Sequence, residues 1–231
     1  VLIVCTANVC RSPYAEYLFE QEFARHEELA SVQVGSAGIR PVRYGALCEL
    51  VAERHPHTEE WDEFVRRHRS IRATPSRVAQ ARLILTASRS NRAALAQVDP
   101  AARSRTFTLR EAAWLGADYV KNPALEGGAA VTAFARYLDE QRGLKAPIRP
   151  IRTGLFMRPS DPLSIPDGHN LSMREHLRTL KDVERVSEVV ARLIAVGSDP
   201  SATEAAAERQ AASAGQVRRY SSNAAPAAPL T

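Results

Sequence analysis

The first five residues, VLIVC, form an unbroken apolar run without alternation, which predicts a central parallel strand covered on both faces. Ser12-Pro13 then supplies a hydroxyl N-cap and a proline at the first helical position, and Tyr14, Leu18 and Phe19 recur at helical spacing through about residue 28. Residues 31–35 read as a second strand, closed by a turn at Ser36-Ala37-Gly38. Helices are expected over 46–54 and 59–67, separated by the breaker HPH at 55–57. Pro75 begins a short helix, ARLILTA at 81–87 reads as a third buried strand, and a helix follows to about Val98. RTFTL at 105–109 is the fourth strand. Strands alternating with helices predict an α/β fold, a four-stranded parallel sheet with helices on both faces.

The pattern changes beyond residue 116. One helix is expected at about 129–141, followed by the Pro- and Arg-rich segment APIRPIRTGLFMRPSDP. This stretch lacks a core-sized apolar pattern of its own, so it reads as a long insertion (about 116–160) before the last helix, 173–196, and not as a second domain. Ala- and Ser-rich sequence follows, with too little bulky apolar content to pack. The expected organisation is one domain over 1–197 and a disordered tail over 198–231.

A length of 231 residues suits that plan. No run of 18 apolar residues is present, so no membrane span is expected, and no leader pattern is visible. A first residue of Val, not Met, implies a trimmed chain. Three cysteines, Cys5, Cys10 and Cys48, make no disulfide framework and point to the cytoplasm. The net charge of +5 is carried mostly by arginine. Thin aromatic interleaving argues against a nucleic-acid partner, and no local zinc-ligand spacing such as CxxC…HxxxH appears.

The chemistry concentrates between Cys5 and Ser12. In a strand–loop–helix connection, backbone N–H groups and the helix N-terminus converge into an anion site. A cysteine at its first position lies in a field that favours thiolate, and the Ser12 hydroxyl can hydrogen-bond the sulfur. Arg11 adds a planar fork that holds two phosphoryl oxygens at once. Nucleophile, amide nest and bidentate cation around one tetrahedral anion make a phosphoryl-transfer site.

CTANVCRSP resembles the active-site loop of the low-molecular-weight protein tyrosine phosphatases, C-x-G-N-x-C-R-S-P near the N-terminus. The likeness extends through SAG at 36–38, HRSIRATPS at 68–76, ARLILTASRSNRAAL and RTFTLREAA. It implies a flavodoxin-like four-stranded sheet and hydrolysis of phosphotyrosine through a phosphocysteine, with no metal or cofactor. By this resemblance Cys5 is the nucleophile and Arg11 binds phosphate. Thr6, Ala7, Asn8, Val9, Cys10 and Ser12 complete the phosphate loop. Asn8, Ser12, Ser36 and His68 support that loop, His68 being alternatively a surface residue of a basic run. Cys10 is the second loop cysteine, able to form a reversible disulfide with Cys5. Phosphotyrosine proteins, made by a cognate tyrosine kinase, are the implied partners.

An aryl phosphate also needs a general acid opposite the nucleophile. The family places an Asp, usually followed by Pro, just before the last helix. Asp161 keeps the Asp-Pro dipeptide, whereas Asp167 keeps the distance to the helix N-cap, Ser172, and is favoured because reach is geometric. Three departures stand out. Ala7 replaces a Gly, which would cost about 1 kcal/mol if the position needs positive φ. Gly168-His169 replaces a Pro and a stacking aromatic. Tyr44 is the candidate for a substitute pocket wall.

Three rivals remain. A thioredoxin-coupled arsenate reductase needs two further cysteines close together, and Cys48 stands alone. A protein arginine phosphatase carries Thr where this chain has Val9. A phosphate-binding module without turnover would share the loop.

Overall fold

A computed structural model describes residues 1–146, 161–169 and 171–198. The expected tail, Ser198 apart, and positions 147–160 of the Pro- and Arg-rich segment lie outside the described residues. The strands are β1 (Leu2–Cys5), β2 (Gly35–Gly38), β3 (Ile84–Thr86) and β4 (Thr106–Thr108). All pair parallel, in the order β2-β1-β3-β4, with Val4 opposite Ala37 on one side and Thr86 on the other. The helices are α1 (Arg11–Ala24), α2 (Glu49–Ala52), α3 (Glu59–Arg67), α4 (Pro75–Gln80), α5 (Arg89–Val98), α6 (Leu109–Leu115), α7 (Gly127–Gln141) and α8 (Met173–Val196).

Side chains two apart on a strand share a face, and the core follows that rule. Ile3, Leu85 and Phe107 join Tyr14, Phe19, Phe134 and Val190 under α1, α6, α7 and α8. Leu2, Val4 and Ile84 pack on the other face with Val78 of α4 and Leu95 of α5. Helix α7 buries Ala130, Val131, Phe134 and Leu138 in the first of these clusters, so the described part of the expected insertion shares the main core. Helix α6, which the sequence reading passed over, starts in a capping box between Thr108 and Glu111. No described helix is long and apolar enough to cross a membrane.

Two expectations are corrected. The second strand is Gly35–Gly38, so the predicted turn Ser36-Ala37-Gly38 is itself the strand. Small residues suggest a turn, yet here they permit close approach. A Cβ on Gly38 would lie 2.9 Å from the Thr6 carbonyl oxygen and 3.1 Å from Asn8 Cβ, so the loop after β1 rests directly on this strand. Helix α1 also begins earlier than predicted, with Cys10 at the N-cap, and Ser12 falls inside the first turn with its hydroxyl turned elsewhere.

Gly38→Ala is expected to lower stability by about 1–3 kcal/mol, since backbone must shift. Gly35→Ala, where a Cβ meets nothing within 4 Å, should be neutral or slightly stabilising. Urea unfolding midpoints of the two variants decide this, and equal midpoints would remove the close-approach argument.

Candidate active site

Cys5 ends β1 opposite Gly38, and in the loop from Cys5 to Arg11 every carbonyl from Cys5 to Cys10 has a hydrogen-bond donor. Cys5 O accepts from Ile39 N at 3.0 Å, Thr6 O from Arg40 N at 2.8 Å and Ala7 O from Ser70 Oγ at 2.6 Å. Asn8 O lies 2.9 Å from His68 Nε2, Val9 O accepts from Cys48 N at 2.7 Å, and Cys10 O from Tyr14 N at 3.1 Å. The described peptide bonds are trans, and in a trans unit the C=O and the following N–H point in opposite directions. Carbonyls turned out therefore turn the amides from Thr6 to Arg11 in, toward a common centre at the N-terminus of α1. That is an anion nest by construction.

At its floor the Cys5 sulfur, in a residue only 2% exposed, accepts hydrogen bonds from Asn8 N at 3.2 Å and Ser12 Oγ at 3.0 Å. Asn8 adopts φ 55°, a left-handed conformation that asparagine tolerates better than most residues. The positive φ thus falls on Asn8, and the strain foreseen for Ala7 does not arise. Asn8 Nδ2 donates to Ser12 Oγ at 3.0 Å and Ser36 Oγ at 2.7 Å, while Oδ1 accepts from Ile71 N at 2.9 Å. Thr6 Oγ1 accepts from Asn91 Nδ2 of α5 at 3.2 Å.

His68 is buried and serves the loop, not the surface. Burial lowers its pKa from the ordinary value, and the neutral ring donates through Nε2 to Asn8 O. Glu16 is a participant that sequence reasoning missed. Its Oε2 accepts from the Ser36 hydroxyl, and burial pushes the carboxyl up to about 7 against that hydrogen bond. No motif marks it; it is one polar position on the inner side of α1.

Arg11 is almost wholly buried, 4% exposed. One terminal nitrogen donates to Ile165 O at 3.2 Å, and the other pairs with Asp167 Oδ2. Asp167 is half-exposed and its Oδ1 accepts from His169 N at 3.3 Å. Asp161 is engaged differently: its carboxylate accepts from Leu163 N at 3.1 Å and Ser164 Oγ at 2.6 Å, folding its own turn. Tyr44, at φ 56°, stands 77% exposed with Arg43 over its ring at 5.0 Å. Its loop borders the phosphate loop through Gly45, where a Cβ would come 2.9 Å from Val9 Cγ1.

Cys10 does not share partners with Cys5. Its sulfur lies 2.9 Å from His176 Nε2, and Cys48 Sγ lies 3.6 Å from the same nitrogen. With His169 these residues bring two thiols and two imidazoles together from the loop, the approach to α2, the Asp167 segment and the first turn of α8. Cys10, Cys48 and the histidine pair lie far apart in sequence, and the spacing of His169 and His176 alone is no ligand motif, so no local motif announced them. Hydrogen bonding from Cys10, with His169 and His176 close by, draws the Cys48 thiol well below its ordinary pKa.

Residues 1–140 match the family model described as low molecular weight phosphotyrosine protein phosphatase. The chain is similar to the low molecular weight protein-tyrosine-phosphatase Ptp of Acinetobacter johnsonii, 28% identical over 111 residues that cover 47% of this chain and 70% of that one. Its fold is similar to that of the tyrosine phosphatase Wzb from Escherichia coli K30 bound to phosphate, with TM-score 0.53 and 19% identity over 83% of this chain and 94% of that one. A YwlE mutant from Bacillus subtilis gives TM-score 0.52 and 20% identity over 84% and 96%. Another YwlE structure, described as an arginine phosphatase, gives 0.53 and 20% over 84% and 93%. At such identities these structures speak for the fold alone.

The raised carboxyl makes loop stability pH-dependent. The folded chain holds the Glu16 proton up to about 7, whereas the unfolded chain releases it near 4.5, so the fold loses stability as pH rises between these values. His68 acts on the acid side: the unfolded chain takes up its proton first, so stability falls as pH drops below about 6.5. Glu16→Gln keeps a partner for Ser36 and removes the first slope. Relative to wild type it should gain about 2 kcal/mol between pH 5 and pH 8 in denaturant titrations. Parallel curves for the two proteins would refute the buried-carboxyl assignment.

Proposed function

The chain belongs to the low molecular weight phosphotyrosine protein phosphatase family, and from that premise we propose that it hydrolyses phosphotyrosine in protein substrates through a phosphocysteine intermediate. The observation that carries the reading is the Cys5 sulfur, which accepts hydrogen bonds from Asn8 N and Ser12 Oγ on the floor of a loop of inward amides. In the first step the Cys5 thiolate attacks phosphorus and the bond to the tyrosyl oxygen breaks. The Asp167 carboxyl gives its proton to the departing phenolate. In the second step water attacks the phosphocysteine, Asp167 takes back a proton, and inorganic phosphate and the thiolate separate. The amides from Thr6 to Arg11 and the Arg11 fork bear the growing charge on the equatorial oxygens.

The ion pair between Arg11 and Asp167 gives this scheme an entry step. Phosphate replaces the carboxylate on the guanidinium, and the displaced Asp167 takes a proton from solvent and is then placed to deliver it to the leaving oxygen. Asp161, whose carboxylate is occupied with Leu163 and Ser164, has no such route. Tyr44, exposed on the neighbouring loop, is proposed to flank the substrate ring. The domain that carries this activity is proposed to span residues 1–197. The reaction consumes the product of a protein tyrosine kinase, and three buried free thiols suit a reducing compartment, the cytoplasm.

Phosphoarginine is the second substrate to weigh, and Val9 argues against it: a branched apolar side chain suits a flat phenyl ring better than a polar guanidinium. Competing phosphotyrosine and phosphoarginine peptides should therefore favour phosphotyrosine, with Val9→Thr shifting the ratio toward phosphoarginine. A wild-type preference for phosphoarginine would reverse the assignment.

Wild type should hydrolyse p-nitrophenyl phosphate at mildly acidic pH, and Cys5→Ser should not. Asp167→Ala should lower kcat on phosphotyrosine by roughly 10²–10⁴-fold. The same variant should bind inorganic phosphate more tightly, because the competing carboxylate is gone. Asp161→Ala should cost far less in kcat; a larger loss there than in Asp167→Ala would transfer the acid role to Asp161.

A further inference from the structure

We propose that Cys10, Cys48, His169 and His176 form a zinc-binding site. Their ligating atoms all lie within 4.8 Å of one another. The His176 Nε2 atom is 2.9 Å from Cys10 Sγ and 3.6 Å from Cys48 Sγ, and the two imidazoles stand nearly perpendicular with centroids 5.4 Å apart. Tetrahedral zinc, with bonds of about 2.0–2.3 Å, needs ligand atoms about 3.3–3.8 Å apart. The shortest contact must open and the widest must close, both by less than about 1.5 Å, within reach of side-chain torsions.

The donor set selects the ion. Two sulfurs and two imidazole nitrogens around one point suit zinc; magnesium and calcium demand oxygen ligands, which the cluster does not offer. Cys10, Cys48 and His176 are buried, and His169 is exposed, so the cluster has a rigid inner side and an open side for entry. Binding takes both cysteines as thiolates, any remaining thiol proton passing to solvent, and takes the imidazoles neutral.

The four ligands come from four separate segments, and this gives the ion structural leverage. It would tie the phosphate loop at Cys10 to the first turn of α8 at His176 and to the approach of α2 at Cys48. Through His169 it would also fix the segment whose backbone N–H at His169 reaches Asp167 Oδ1. A metal-bound Cys10 is withheld from any disulfide with Cys5. The ion's role is to clamp, and no bond-making step passes through it.

The test uses the full chain, purified reduced and without chelator, and reads metal directly, so its outcome is independent of phosphatase activity. Wild type should carry one zinc per chain by elemental analysis. After removal of zinc and loading with cobalt(II), it should show intense visible bands of a tetrahedral site and near-ultraviolet thiolate-to-cobalt charge transfer. Cys48→Ser should lose part of that charge transfer. Exposed His169→Ala, with its fold checked by circular dichroism, should bind at least about tenfold more weakly. Added zinc should raise the wild-type melting temperature by more than that of Cys48→Ser. A weak octahedral cobalt spectrum, a charge-transfer band unaltered in Cys48→Ser, or a Cys10–Cys48 disulfide found in place of the metal by mass spectrometry would each overturn the proposal.

Discussion

Everything at this site depends on peptide planes being held from behind. The loop from Cys5 to Arg11 has inward amides because Ile39, Arg40, Ser70, His68, Cys48 and Tyr14 each engage one of its carbonyls. A buried carbonyl without a donor costs about 1–3 kcal/mol, so each of these partners fixes an orientation as well as a contact. Asn8 is the pivot. Its positive φ reverses the chain, its own amide reaches Cys5 Sγ, and its side chain reaches Ser12, Ser36 and Ile71. Remove that one side chain and three segments lose their common partner.

The opposite wall is built by the same means. The segment bearing Asp167 lies across the C-terminal ends of the strands, where open parallel sheets place their ligands. Ile165 N donates to Ala87 O at 2.8 Å just after β3, Thr108 Oγ1 donates to Leu163 O at 2.6 Å at the end of β4, and Arg89 N donates to Ser164 Oγ at 2.9 Å. Asp161 closes the turn that delivers this segment. One aspartate shapes the turn while the next meets the guanidinium, so the two carboxylates weighed in the sequence divide between architecture and charge.

What the sequence made legible follows from how local each signal is. VLIVC, the spacing of Cys5 to Arg11, and the periodicity of residues 173–196 carry their meaning within a few turns of chain, and the parallel sheet follows from their alternation. The second strand was misplaced because Gly35-Ser36-Ala37-Gly38 has little β-propensity, and Gly38 is set by clearance against Thr6 and Asn8. Ser12 read both as an N-cap and as a partner of the Cys5 sulfur; its hydroxyl makes the second contact, while Cys10 takes the N-cap position. Glu16 and the cluster of Cys10, Cys48, His169 and His176 were invisible for the same reason: Glu16 meets Ser36 across 20 residues and Cys10 meets His176 across 166.

That remoteness has a consequence for the chemistry. Asn8 meets Ser36 across 28 residues and His68 across 60, while Arg11 meets Asp167 across 156. No short fragment of the chain can therefore hold the loop in its working shape, because a peptide containing only Cys5 to Arg11 has none of the donors that turn its carbonyls outward. Closing such long loops costs conformational entropy that only the packed core, with α1 against α8 and the sheet beneath, can offset. The anion nest is thus a property of the complete fold. Substitutions far from Cys5 that loosen Ser36, His68 or Gly38 should act on the sulfur's surroundings through the loop, whatever their distance from the substrate.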